Sequence, residues 1–211
     1  MWDTSPVTEA IDQAVVDRAA LQRRTLTSLR MAQVPGQAAV AGMVAVVTLL
    51  ASDMLGSDRL AGIGSASFTL GAALTMVPLA AFMRRRGRRP GMTAALLIGA
   101  AGGAIAATGG QLRFFPLFVV GMILVGAGQA STLQGRYVAA DLAEPGHQAT
   151  AIAAIVWIGA LGAVFGPLLT PFEKAAARSI GLDELIGPFV FATVLFLVAA
   201  AVVWTRLRPD P

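Results

Sequence analysis

The chain has 211 residues, 56% of them hydrophobic and only 13% charged, with a net charge of +4. That charged share is about half that of an ordinary soluble chain, which excludes a water-exposed globular domain; no separate catalytic domain is expected within these residues, which membrane spans and short connectors nearly fill. Cysteine is absent, which removes disulfides, thiolate nucleophiles and Cys-ligated metals together.

Residues 1–30 carry Asp3, Glu9, Asp12 and Asp17 ahead of any apolar core, unlike a cleavable signal peptide. Ser5 and Pro6 read as a helix start, and Ile11, Val15 and Ala19 recur on one face. This segment is therefore either a surface helix or an irregular lead-in. Residues 31–211 form the membrane domain. Six stretches contain no Asp, Glu, Lys or Arg: 31–52, 60–83, 91–112, 114–135, 149–170 and 185–205. Each reaches the roughly 20 residues that a helix needs to cross a bilayer, and none has the charged face of a soluble helix. The predicted fold class is all-α, an integral membrane bundle of six transmembrane helices in a cell (inner) membrane, with lipid as its first partner.

Orientation follows from the basic residues. Arg18, Arg23, Arg24 and Arg30 precede span one; Arg84, Arg85, Arg86, Arg88 and Arg89 separate spans two and three; Arg136 follows span four, and Arg206 and Arg208 follow span six. The other side receives Arg59, Arg113, Lys174 and Arg178. Cytoplasmic loops collect Lys and Arg, so both termini and the arginine cluster are expected to be cytoplasmic. The same rule accounts for the positive net charge without nucleic acid as a partner.

Pro35, Pro78, Pro167 and Pro188 fall inside spans, where neighbouring helices or water must satisfy the backbone groups they free. Gly99 with Gly103, and Gly162 with Gly166, are small-xxx-small pairs that let two backbones approach. Bundle packing is preferred to a dimer interface for both.

Polar residues inside spans are expensive in lipid and tend to face a bundle interior or a water-filled path. Gln33 and Gln37 lie one turn apart in span one, with Thr48 near the same stripe, and Gln129, Thr132 and Arg136 follow i, i+3, i+7 in span four. As a set they are candidate contacts for a small solute; the alternative is hydrogen bonding between helices. No acidic residue lies in the six stretches, and Asp53, just past span one, is the nearest carboxylate and a candidate for ion coupling. His147, the only histidine, belongs to the loop between spans four and five. Haem ligation by paired histidines and a Ser-His intramembrane protease are thereby excluded. A non-enzyme is expected, with no cofactor and no metal.

The loop Ala80-Ala81-Phe82-Met83-Arg84-Arg85-Arg86-Gly87-Arg88-Arg89-Pro90-Gly91 resembles the cytoplasmic signature G-x-x-x-D-R-x-G-R-R of the major facilitator superfamily. Arg85, Gly87, Arg88 and Arg89 are in register, while Ala80 stands at the usual Gly and Arg84 at the usual Asp, which in the family helps to lock the inward gate. The order Gly126-Ala127-Gly128, Arg136 to Leu142, Val156-Trp157 and Gly162 to Pro167 resembles spans four and five of bacterial members. The ending Arg208-Pro209-Asp210-Pro211 resembles the exit from span six into a central loop.

The chain is thus similar to the N-terminal six-helix half of such a transporter. The resemblance implies two three-span units in an inverted repeat, a cavity lined by spans one and four, and a gate in which Arg88 pairs with Asp141; a solvated surface pair is the competing reading. Gly162, Gly166 and Pro167 fit the kink and packing motif of span five, but Ala153, Thr170 and Pro171 replace other glycines of the antiporter series, and Met122 stands where many proton-coupled members have Arg. The functional expectation is half of a secondary active transporter for a small solute, acting by alternating access with a second half, either another copy or a separate chain. Its alternatives are a non-transporting membrane protein that assembles with other membrane proteins, and a truncated inactive product.

Overall fold

Each charge-free stretch is helical in the computed structural model, which describes residues 6–207 apart from 142, 144 and 145, and side chains from residue 26 onward. The elements are α1 (Pro6–Leu55), α2 (Gly62–Arg86), α3 (Arg88–Gln111), α4 (Phe115–Asp141), α5 (Gln148–Ser179) and α6 (Gly187–Arg206), with a 3-10 turn at Glu184–Ile186 before α6. No strand occurs among the described residues.

The helices outlast the windows that predict them. α4 continues past residue 135 to Asp141, and α5 past residue 170 to Ser179. A charge-free window measures hydrocarbon, whereas a helix ends where its hydrogen-bond ladder is capped or broken. The N-terminal segment is helical from Pro6 and runs into span one as a single 50-residue helix. The side chains of Ile11, Val15 and Ala19, and the whole of Arg208 to Pro211, lie outside the described residues.

Packing partners are exchanged between the two halves of the sequence. α1 packs on α5 and α6 just as α4 packs on α2 and α3, and α3 meets α6 between them. Three spans are an odd number, so the second unit enters the membrane from the opposite face.

Glycines make these crossings close. A Cβ on Gly71 would overlap the backbone of Ile123 where α2 meets α4, and a Cβ on Gly162 would overlap the Val34 carbonyl where α5 meets α1. Gly166 sits one turn on, where a Cβ would be 2.7 Å from the Ala38 oxygen and 2.8 Å from the Gly42 nitrogen. Gly99 faces Gly128 of α4, and Gly103 faces Thr193 of α6. Both small-residue pairs therefore pack within the bundle.

Phe118, Phe189, Phe196, Met43, Met122 and Leu50 are fully enclosed between these helices. Phe118 and Phe189 meet edge to face with centroids 5.6 Å apart, a favoured aromatic geometry. α2 and α5 are the least covered helices: 22% of their most apolar windows is buried, against 50% or more for the other four.

Candidate functional site

The arginine-rich end is built around Gly87, the single residue between α2 and α3. Its φ of 97° and ψ of 162° are accessible to glycine and to almost no other residue. That conformation reverses the chain so sharply that Arg88 begins α3 and reaches α4, where its Nη2 donates to Asp141 Oδ2. The pair borders a cleft of about 180 Å³ lined by Ala80, Met83, Arg84, Gln134 and Tyr137. Arg89 turns the other way, donating from Nε to the Trp204 carbonyl at 2.9 Å with its guanidinium 4.0 Å from the Trp204 ring centroid. Ser28 donates to the Arg206 carbonyl at 3.1 Å. The end of α6 is thus held to both α3 and α1. Arg85 is exposed.

The polar stripe separates into buried and open members. Gln33 is buried between Gly135 of α4 and Gly159 of α5, which lie close against its amide; its Nε2 has no hydrogen-bond partner. Gln37 lies on the same face, half-buried with its Cβ and Cγ against Gly162 and Gly159. Thr132 is buried against Gly36 and donates to the Gln129 carbonyl at 2.8 Å and to its side-chain oxygen at 3.2 Å. Gln129 and Arg136 are half-buried, and the Arg136 Nε is enclosed without a partner. Thr48 is exposed, about 16 Å further along α1 than Gln37 at 1.5 Å per residue, so it does not join the group. The structure brings Gln33 and Gln37 together with α5, and Gln129 with Thr132 on α4.

At the opposite end, Asp53 is half-exposed and bonded to Arg113 at 2.8 Å, so this carboxylate ties α1 to the α3–α4 loop. Arg113 adopts a φ of 50°, rare outside glycine. Asp183 caps the 3-10 turn through the Leu185 N–H at 2.9 Å, and its own N–H donates to Gln111 Oε1 at 3.1 Å.

One acid was missed by the sequence. Glu173 lies on α5, a helix of membrane-spanning length and hydropathy, and is 2% exposed. The expectation that spans are free of acids is corrected accordingly. Its signal was present: the charge-free run that includes 149–170 continues through Phe172 to Glu173 and Lys174, and ending the span at residue 170 left Glu173 out. Pro167 and Pro171 lie inside the same helix without ending it.

Residues 35–211 match the family model described as Major Facilitator Superfamily. The chain belongs to this superfamily. It is 37% identical over 191 residues to the uncharacterized MFS-type transporter YdeG and 38% identical to YddS, both of Bacillus subtilis, each match covering 90% of this chain and 44% of the relative. The riboflavin transporter RfnT of Brucella anthropi is 30% identical over 193 residues, 90% of this chain and 48% of its own length. The crystal structure of the human organic anion transporter MFSD10 (TETRAN) superposes with a TM-score of 0.68 at 20% identity, over 88% of this chain and 47% of that one, a likeness of fold. The superfamily chain described here spans about half the length of the curated relatives it matches. It is a multi-pass membrane protein.

Proposed function

We propose that this chain forms one six-helix half, the N-terminal one, of a secondary active transporter, moving a small solute by alternating access together with a second half. The observation that carries the reading is its match along 90% of its length to transporters about twice as long. Transport in such folds proceeds by rocking of one bundle against another around a midplane site. A single bundle supplies one wall, and a second six-helix half supplies the other, in line with relatives about twice as long. Both termini and the arginine cluster face the cytoplasm, following the distribution of basic residues.

In this reading Gln37, Gln129 and Arg136, half-buried in the isolated half, meet the solute, while Gln33 and Thr132 fix the angle between α1, α4 and α5. Amides both donate and accept, which suits a polar or mixed solute. Arg88 and Asp141 close the cytoplasmic end in one state and part in the other. The chain is not an enzyme.

Riboflavin is the first probe, because one relative is a riboflavin transporter. Uptake into vesicles holding the purified chain, above that of empty vesicles, is expected of a homodimer. Uptake that needs a co-purified six-span chain assigns the other half to that chain. Flux equal to empty vesicles for riboflavin and for a panel of small solutes, with and without the co-purified material, sinks the transport reading and leaves an assembly role.

A further inference from the structure

Glu173 is the only buried acid among the residues with described side chains, and two other helices, α1 and α6, close on it. A Cβ on Gly42 of α1 would lie 3.7 Å from both carboxylate oxygens, and Gly187 of α6 packs directly on the Glu173 backbone. Gly187 thus leaves the space that the Glu173 backbone occupies, while the carboxylate lies beside Gly42 at ordinary contact distance. Oε2 has no hydrogen-bond partner, and neither has the enclosed Oγ1 of Thr170, one turn earlier on the same helix.

No cation answers the carboxylate among the described residues. On the elements packed against α5, Asp53 of α1 pairs with Arg113, Asp141 of α4 with Arg88, and Glu184 of the 3-10 turn with Arg178 of α5. Arg30 of α1, Arg136 of α4 and Arg206 of α6 belong to the arginine-rich end. Lys174 follows Glu173 directly, and so leaves the helix about 100° around it. A bare charge in such a place is costly, whereas a protonated carboxyl is neutral.

We propose that Glu173 is a proton-binding site that holds α5 against α1 and α6 when occupied and releases them when empty. The inference deepens the transporter reading and rests on it for its purpose, the proton being the coupling ion. When the seam opens, water enters, the carboxyl O–H bond breaks, the proton leaves as hydronium and a solvated carboxylate remains. Closure requires the reverse, a proton taken from water before the carboxyl re-enters the seam.

The test is infrared spectroscopy of the full chain in lipid nanodiscs. Exposed carboxyls are ionised at neutral pH, so a protonated-carboxyl stretching band there belongs to a buried acid. Wild type is expected to show the band at neutral pH and to lose it as pH rises, and Glu173→Gln is expected to lack it throughout. Ionisation places an unpaired charge in the seam, so thermal stability should fall with rising pH in wild type and less so in Glu173→Gln. No band in wild type at neutral pH overturns the proposal even if the variant fails to fold. An unchanged band in the variant overturns it too, as does stabilisation by sodium without a band. The band needs no solute: a band without uptake rejects transport and keeps the site, and uptake without a band does the reverse.

Discussion

Gly87 shows how one residue sets the arginine-rich end, because its backbone angles let α3 start immediately after α2 and aim Arg88 at α4. Substitution by alanine forces a side chain into a region occupied almost only by glycine, at a cost of about 1–3 kcal/mol. Gly87→Ala should therefore lower the melting temperature in nanodiscs, and an unchanged transition would mean that the loop relaxes freely. Arg88 carries a different expectation. Its pair with Asp141 is partly solvated, with side chains 29% and 58% exposed, so removing it should cost less than about 1 kcal/mol. Arg88→Ala should nevertheless shift the balance between inward-open and outward-open forms, read by spin-label distances across that end. Distances identical to wild type would reduce the pair to a surface contact.

Between helices, the contact of α5 with α1 is tightly constrained, because Gly162 and Gly166 admit the backbone of α1 where a Cβ would overlap it. Gly162→Val adds bulk where a Cβ already overlaps a carbonyl, and overpacking of this kind costs about 1–3 kcal/mol. It should lower thermal stability and abolish uptake together, whereas Gln129→Ala, at a half-buried position, should reduce uptake while leaving the melt near wild type. Equal effects of Gln129→Ala on both would return that residue to packing. The helices themselves were legible because hydropathy depends on local composition. Their ends were not, since α4 and α5 carry charged residues in the last turns of an unbroken ladder, and that concealed Glu173. The polar stripe was legible as a list of residues on two helices but not as a site. Periodicity placed Gln33 with Gln37, and only the glycines of α4 and α5 that receive Gln33 show that it is enclosed.

In the molecule as a whole, uneven coverage is the feature that needs an explanation. α2 and α5 leave most of their apolar residues uncovered, among them Leu74, Val77, Trp157 and Phe172, each more than 60% exposed. Lipid can cover such faces, but two equivalent helices left open on an otherwise packed bundle fit a second six-helix unit seated against them. The exchange of packing partners between α1–α3 and α4–α6 makes α2 and α5 equivalent members of the two units. The most direct measurement is the mass of the assembly released from its own membrane with native lipid retained. A mass of two six-helix units is expected, whether they belong to one polypeptide or to two. A population holding only one six-helix unit would overturn the two-half reading.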